Sequence, residues 1–288
     1  MILKKEIEKI AEEKGVAKST IDKDWVLGHF LAAIYSDPKL REELIFKGGT
    51  CLKKCYFPDY RFSEDLDFTS KVSDFELKQS HLTFICWHVK ENAEITTHID
   101  SLTPLHFENK LTGYEGVIKF WGAEHPRNET PAPPERWHTK IKLEIILYEK
   151  LLFGQSDKKI IHPYSDHPAI HPNAIPCYSI EEMLSEKLRS LIQRSYSAPR
   201  DFYDIWYLLK YVPGLDWSKI AEAFYEKVSF KGLSFSGIDQ MINDENSAIL
   251  RKSWENSLRH QITGNSFPNF EVVKKDITEL LSKVLNAN

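Results

Sequence analysis

The chain has 288 residues, which is enough for one large domain or two smaller ones with an ample hydrophobic core. Its composition, 42% hydrophobic and 28% charged residues, is that of an ordinary water-soluble protein. The formal net charge of −4 excludes a strongly basic nucleic-acid binder, although it leaves room for a local basic patch.

The cysteines and the first residues of the chain indicate a cytoplasmic protein. The four cysteines show neither zinc-ligand spacing nor the density of a disulfide framework, which suits a reducing compartment; they are Cys51, Cys55, Cys86 and Cys177. The N-terminal residues are charged and lack the apolar run of a signal peptide. Because no stretch approaches the length of a membrane span, we expect no membrane partner.

The first elements are predicted to be helices. Apolar residues recur at helical spacing over residues 2–14. Ser19 or Thr20 is placed to cap a second helix, which ends before Pro38. A third, short helix over residues 39–43 leads into an apolar run.

That run ends in two glycines and a hydroxyl, at Gly48, Gly49 and Thr50, before a short predicted helix over residues 50–56. A Gly-Gly turn lets backbone N–H groups approach an anion closely. The start of a helix also favours negative charge. These residues therefore predict a site for the phosphates of a nucleotide.

The next strand carries two carboxylates on one face. Asp65 and Asp67 alternate with Leu66 and Phe68, so both acids point the same way. Like charges about 4 Å apart repel by roughly 4 kcal/mol near a protein surface. The pair is tolerated if it faces open water, shares a proton or shares a cation. The preceding phosphate cradle favours a shared cation, Mg²⁺ bound with a nucleoside triphosphate (NTP), over solvated acids on an exposed strand.

Alternating patterns predict more strands after this motif. They cover residues 82–89, 94–101, 113–121 and 139–146, with a proline-rich loop over 123–138. In the last strand, Lys142 and Glu144 share one face. Glu144 is the natural third carboxylate for a metal site on a mixed sheet, and the alternative is a surface ion pair between strands.

Residues 156–178 are rich in histidine and proline. His162, His167 and His171 are possible zinc ligands by residue type. Their irregular spacing, without a cysteine at ligand spacing, favours a connecting segment instead.

Helical patterns dominate the rest of the chain. Ser179 and Glu182 predict a capping box. The following helix begins at residue 200, where Asp201 and Asp204 either complement the helix dipole or lean with Lys187 and Arg200 over a nucleotide site. Further helices are predicted over 217–227, 237–242, 247–262 and 270–285.

Several segments, taken in order, carry a resemblance to a known family. They are FKGGT at 46–50, RFSEDLD at 61–67, IKLEI at 141–145, SIEEMLSEK at 179–187, PRDFYD at 199–204 and WENSL at 254–258. Together they resemble the AbiEii/AbiGii nucleotidyltransferase toxins of type IV toxin–antitoxin and abortive-infection systems. That family belongs to the DNA polymerase β-like nucleotidyltransferase superfamily. The resemblance covers most of the chain, and the ordered set is far more specific than any single segment.

The resemblance implies an α+β fold, with a polymerase β-like mixed sheet flanked by helices and a C-terminal helical bundle. N-terminal helices and the catalytic domain would occupy residues 1–155, and the helical domain residues 156–288. The nucleotide would lie in the cleft between the two.

The resemblance also implies roles for individual residues. Asp65, Asp67 and Glu144 would bind Mg²⁺, although the superfamily often has Asp where this chain has the longer Glu144. The residues assigned to the nucleotide are Gly48, Gly49, Thr50, Arg61, Ser63 and Lys142. Lys187 would neutralise phosphate charge or assist proton transfer, and Asp204 would position Lys187 or the acceptor. A phosphate on Ser63 would compete with the nucleotide by charge and bulk.

The implied reaction is in-line attack by an acceptor hydroxyl on the α-phosphate of an NTP, with release of pyrophosphate. The implied partners are a tRNA acceptor and a cognate antitoxin protein. Candidate RNA contacts are Lys140, Arg189, Arg194, Arg200, Tyr196 and Trp137, and the alternative for these is scattered solvated surface.

Two other functions remain open at this point. One is a small-molecule nucleotidyltransferase or NTP-dependent phosphotransferase, and the other is a non-catalytic nucleotide-binding regulator.

Overall fold

The computed structural model of the chain describes residues 2–172, 174–193, 198–263 and 267–285. Two compact units are present, the first formed by Met1–Glu149 with Gln155–Tyr178 and the second by Lys150–Gly154 with Ser179–Asn288. Residues 156–178, which the boundary expected from the sequence placed in the C-terminal domain, lie in the first of these two units.

A seven-stranded mixed sheet is the centre of the first unit. Its strands are β1 (Leu44–Lys47), β2 (Leu66–Ser70), β3 (Thr96–Phe107), β4 (Lys110–Trp121), β5 (Lys140–Ile146), β6 (Ser156–Lys159) and β7 (Ala174–Cys177). They lie in the order β3-β4-β5-β2-β1-β7-β6. The β2–β5 and β1–β7 pairs are parallel and the others antiparallel. The predicted α+β fold with a mixed sheet is confirmed.

Three helices of the first unit precede β1, and two more follow β1 and β2. They are α1 (Lys4–Lys14), α2 (Lys18–Ser36), α3 (Pro38–Glu43), α4 (Gly48–Cys51) and α5 (Gln79–Ala93), and a π turn over Leu52–Tyr56 continues α4. Most of α2 is buried. The predicted cap of α2 at Ser19 or Thr20 is wrong, because the helix begins at Lys18 after Ala17, without a side-chain cap.

The strand predicted over residues 82–89 is also wrong, because these residues lie in α5. The buried side chains of α5 are Leu82, Ile85, Val89 and Ala93. They recur every three or four residues, which is the period of a helix and not of a strand. Trp87, which lies between them, is exposed. The buried apolar residues therefore form one face of a helix, and their spacing only superficially fits the alternation of a strand.

The second unit is helical, as predicted for the C-terminal part of the chain. Its helices are α6 (Ile180–Gln193), α7 (Pro199–Tyr211), α8 (Trp217–Phe230), α9 (Asp244–Leu258) and α10 (Phe270–Leu285). Of the helix predicted over 237–242, only a 3₁₀ turn at Ile238–Gln240 forms. The helix predicted from residue 247 begins at Asp244, because the Asn243 side chain caps it by accepting from the backbone N–H of Asn246.

A buried ion pair joins α6 and α8 in the second unit. Lys227 Nζ lies 2.5 Å from Glu182 Oε1, and both side chains are essentially unexposed. Glu182 Oε2 accepts from the backbone N–H groups of Leu152 at 2.9 Å and Phe153 at 2.7 Å. The predicted capping box is therefore half formed. Ser179 Oγ does accept from the Glu182 N–H at 3.1 Å, while the Glu182 carboxylate binds the short segment Lys150–Gly154 to the helices.

One carboxylate in the histidine-rich segment accepts hydrogen bonds from two side chains of α2. Asp166 accepts hydrogen bonds at 3.0 Å from Trp25 Nε1, His29 Nε2 and His162 Nε2. His162 thus groups with His29 and Asp166, while His167 is exposed. The three histidines named from the sequence do not converge. The segment is not merely the predicted connector, because its two ends form strands β6 and β7 of the sheet.

None of the helices in the described ranges has both the length and the apolar character that crossing a bilayer requires.

The burial of His162 makes stability depend on pH. Burial lowers the pKa of His162 to about 4, against about 6.5 in an unfolded chain. The folded state therefore binds fewer protons between these values, and stability falls as the pH drops through this window. From pH 7 to pH 4.5 we expect wild type to lose about 2–3 kcal/mol of unfolding free energy relative to His162→Gln, whose amide still donates to Asp166.

Urea unfolding at the two pH values measures this difference. His167→Gln, an exposed substitution in the same segment, is the control and should keep the wild-type pH dependence. An equal pH dependence in wild type and His162→Gln would contradict the assignment.

Candidate active site

The turn between β1 and α4 places glycine backbone against two charged side chains. Gly48 has φ +81°, a left-handed conformation that favours glycine. A Cβ at Gly48 would overlap the Asp67 carboxylate, and one at Gly49 would lie 2.6 Å from an Arg61 guanidinium nitrogen. The same Gly49 position faces Ser63 Oγ. The two glycines are therefore required by the close approach of these groups as well as by the turn.

Thr50 joins this turn to the start of β2. Its side chain is buried, and Oγ1 donates to the backbone carbonyl of Asp65 at 2.5 Å. Since the single hydroxyl proton is used in this contact, any phosphate at the turn would be bound by backbone N–H groups rather than by the Thr50 hydroxyl. Thr50 thus positions Asp65, the residue immediately before β2.

Acidic side chains from three adjacent strands stand in one row across the sheet. Asp67 on β2 is paired with Glu144 on β5, and Glu144 is paired with Glu115 on β4. Paired residues of neighbouring strands project from the same face. On the other side of Asp67, the paired residue is Lys47 on β1. The predicted neighbours Asp67 and Glu144 are thus brought together by strand register.

Lys142 lies between two members of this row. Its Nζ is 2.9 Å from Glu115 Oε2 and 2.9 Å from Glu144 Oε2. Partial burial opposes the charge of Lys142, but the two carboxylates outweigh it and raise its pKa. The surface ion pair considered as the alternative for Lys142 and Glu144 is therefore present, within the row that also contains Asp67.

A second cluster, within the helical unit, is formed around Lys187 on α6. Lys187 Nζ lies 2.9 Å from Asp201 Oδ1 and 2.7 Å from Asp204 Oδ2, both on α7. Ser190 Oγ donates to Asp201 Oδ2 at 3.2 Å. The lysine side chain is 12% exposed and that of Asp204 is fully buried, so this ammonium is held in one position by two carboxylates.

Two of the predicted RNA contacts are wrong. Arg189 and Trp137 are buried. Trp137 Nε1 donates to the Ala132 carbonyl at 2.6 Å, and the Arg189 guanidinium donates to Gln193. Lys140 is exposed and Arg200 is half-buried. Arg194 and Tyr196, which were also predicted as RNA contacts, lie outside the described residues.

Sequence reasoning missed two residues here. One is Glu115, a member of the acidic row, and the other is Lys47, which is paired with Asp67 at the end of the row. Glu115 is the one acidic residue in the predicted strand 113–121, which was the available signal. Lys47 is 8% exposed, and its Nζ lies 5.6 Å from the centroid of the Tyr178 ring. Nothing in the local pattern indicates that Lys47 and Glu115 flank the predicted carboxylates, because their positions depend on the pairing of distant strands.

Comparison with solved structures shows the same fold in a known toxin. The structure of MenT4, nucleotidyltransferase toxin Rv2826c from Mycobacterium tuberculosis H37Rv, matches 100% of this chain and 91% of its own, at 15% identity and a TM-score of 0.64. An antigenic nucleotidyltransferase-like protein from Paracoccidioides brasiliensis, at 14% identity over 85% of this chain and 96% of its own, reaches a TM-score of only 0.33. No curated protein matches the chain in sequence.

The sequence of the chain matches a family profile over residues 29–275, and the family is described as "Nucleotidyl transferase AbiEii toxin, Type IV TA system". The match covers far more than half of the 288 residues and contains the glycine turn, the acidic row and the Lys187 cluster. The chain belongs to the AbiEii family of nucleotidyltransferase toxins of type IV toxin–antitoxin systems.

Proposed function

We propose that this toxin is a Mg²⁺-dependent enzyme that transfers a nucleoside monophosphate from an NTP to a hydroxyl group of an RNA, of which tRNA is the expected example. The observation that carries the proposal is the register of β2 and β5, which places Asp67 beside Glu144 next to a glycine turn that abuts Asp67. Carboxylates beside a phosphate-binding turn are the arrangement in which proteins hold Mg²⁺ with a nucleotide.

Asp65, Asp67 and Glu144 would hold the metal. All three offer hard carboxylate oxygens, which are the ligands that Mg²⁺ prefers. The repulsion within the acidic row supports a cation there, because one bound divalent ion would offset it. When bound, divalent ions stabilise the attacking and leaving oxygens of an in-line displacement. Glu144 Oε2 is bound to Lys142, so Glu144 would turn partly from Lys142 to act as a ligand.

The glycine turn would hold the triphosphate. Backbone N–H groups of Gly48, Gly49 and Thr50 lie in the first turn of α4, where they can donate to phosphate oxygens. Arg61 is placed against Gly49 and would add positive charge. Ser63 also faces Gly49, so a phosphate on Ser63 would occupy the space and repel the charge of the nucleotide.

Lys187 would neutralise charge that develops on the transferred phosphate, or move a proton of the acceptor. The contacts with Asp201 and Asp204 keep its side chain in one place. Such fixed charge is the main contribution of proteins to phosphoryl chemistry, which needs little covalent assistance. Asp204 would then be a positioning residue for Lys187.

A cognate antitoxin is the proposed protein partner, and the support is the type IV system named in the family description. For the RNA acceptor, the remaining candidate contacts are Lys140 and Arg200, which retain exposed surface. Exposed basic side chains bind RNA through the phosphate backbone.

Purified protein incubated with Mg²⁺, total RNA and α-labelled ATP, GTP, CTP or UTP tests the function. We expect label in RNA from one or more α-labelled nucleotides and none from γ-labelled ones. Asp67→Asn and Lys187→Met should lower transfer by at least about 100-fold, because each removes a charge placed at the reaction. Asp100→Asn is the control, since the exposed Asp100 on β3 pairs with Lys119 at 2.8 Å and is not a member of the acidic row.

Three results would contradict the proposal. Transfer of the γ-label would indicate a phosphotransferase, and label in a small molecule alone would indicate a different acceptor. Growth arrest by expressed Asp65→Ala that equals the arrest by wild type would show that toxicity does not depend on this site.

Gly48→Ala should disturb the turn directly. The left-handed conformation costs a non-glycine residue about 1–2 kcal/mol, and the new methyl group would displace the Asp67 carboxylate. We expect a loss of nucleotide transfer of at least about ten-fold with a smaller loss of thermal stability. Gly154→Ala is the control, because a Cβ there meets nothing within 4 Å. Equal activity of Gly48→Ala and wild type would show that the close approach to Asp67 is not needed.

Glu144→Gln and Glu115→Gln form a matched pair that tests the third ligand. Each removes one carboxylate bound to Lys142 at 2.9 Å, but only Glu144 is paired with Asp67. We expect Glu144→Gln to raise the Mg²⁺ concentration needed for half-maximal transfer by about ten-fold or more, and Glu115→Gln to change it by less than about three-fold. If the two variants respond alike, Glu144 acts on the electrostatics of the row and is not a ligand.

A further inference from the structure

Three cysteines that are scattered in the sequence meet inside the first unit. The Sγ atoms of Cys51, Cys55 and Cys177 all lie within 4.8 Å of one another. Cys51 ends α4, Cys55 lies in the π turn that continues it, and Cys177 ends β7. The fourth cysteine, Cys86, lies on α5 outside this group.

The geometry of this thiol cluster, Cys51, Cys55 and Cys177, suits a metal ion. Sulfur ligands about 2.3 Å from one metal lie about 3.8–4.0 Å apart. Separations of up to 4.8 Å would therefore have to shorten by at most about 1 Å to bring the three Sγ atoms into place. Cys51 and Cys177 are fully buried, while Cys55 keeps 7% of its surface exposed. A disulfide would use two of the sulfurs and leave the third, whereas one metal ion uses all three.

The surroundings favour thiolate at one of the three cysteines. Burial raises the pKa of Cys51. For Cys177 the contact with Cys51 is outweighed by the contact with Cys55 and by burial, which raise its pKa. Burial by itself would raise the pKa of Cys55, but contacts with the Cys177 and Cys51 thiols, and the charges of Lys54 and Lys158, lower it to about 5. Thiolate is the form of cysteine that binds metals. Positive charge nearby would also offset the excess negative charge of three thiolates on one ion.

We propose that Cys51, Cys55 and Cys177 form a binding site for one soft, thiophilic metal ion of the Zn²⁺ or Cu⁺ class. Thiolate ligands select these metals over hard cations such as Mg²⁺. Each ligand gives up its thiol proton to solvent as the ion binds, with no change in oxidation state. The site is therefore separate in chemistry from the carboxylates proposed for Mg²⁺.

The bound ion would connect two parts of the first unit. Cys177 is paired with Phe46 on β1, and Cys51 directly follows Thr50 of the glycine turn. One ion would therefore cross-link β7 to the helix that begins at Gly48. Because an ion that binds the folded state stabilises it, we expect Zn²⁺ or Cu⁺ to raise the melting temperature of the full chain by about 5 °C or more.

The test uses the full chain, reduced and metal-free, with one equivalent of Zn²⁺ or of Cu⁺. Elemental analysis after desalting should find about one ion per wild-type chain, with sulfur-to-metal charge-transfer absorption in the Cu⁺ sample. Cys51→Ala, Cys55→Ala and Cys177→Ala should each bind at least about ten-fold more weakly. Cys86→Ala and Asp67→Asn are the controls and should bind like wild type.

A measurement on the wild-type chain avoids any effect of substitutions on folding. In moderate urea, Zn²⁺ or Cu⁺ should protect the peptides that contain Cys51, Cys55 and Cys177 from alkylation, while the Cys86 peptide reacts equally with and without metal. Equal protection of Cys86, retention of the ion by the triple alanine variant, or a disulfide within the cluster in the metal-treated protein would overturn the proposal.

Discussion

The repulsion between carboxylates in register across the sheet is the constraint on which the candidate site depends. Asp67, Glu144 and Glu115 stand on neighbouring strands, about 4.8 Å apart in the hydrogen-bonding direction. The opposite face of the same strands is buried, with Leu66, Phe68, Leu143 and Ile145 at 1% exposure or less. A shift of one residue would bury the acids and expose this core. The hydrophobic face therefore keeps the charges together despite their repulsion.

The glycine turn and the acidic row are parts of one structure. Thr50 holds the backbone of Asp65, and Gly48 leaves room for the carboxylate of Asp67. A displacement of α4 would consequently move both acids, and a displacement of β2 would move the N–H groups at the start of α4. This coupling explains how a turn with no catalytic side chain of its own would contribute to the candidate site.

The parts of this site that could be predicted from the sequence are those encoded by short patterns. The alternation around Asp67 and Glu144 indicates strands and the face on which each acid lies, and Gly48 marks the turn. Pairing between distant strands is not visible in such patterns, so neither the place of Glu115 beside Glu144 nor the meeting of Cys51 with Cys177 could be predicted. The error over α5 has a related cause, since a short apolar segment fits both periods when its burial is unknown.

The net charges of the acidic row and of the Lys187 cluster indicate why a nucleotide would need a cation to bind. In the helical unit, Lys187 is held by two carboxylates, which leaves that cluster with one net negative charge. In the row of the first unit, Lys47 and Lys142 face three acids, and Asp65 precedes them. Neither cluster therefore offers a surplus of positive side-chain charge to a triphosphate, which is itself strongly negative. A divalent ion at the carboxylates would offset the two excess negative charges of the row, so binding of the nucleotide and binding of the metal should be mutually dependent.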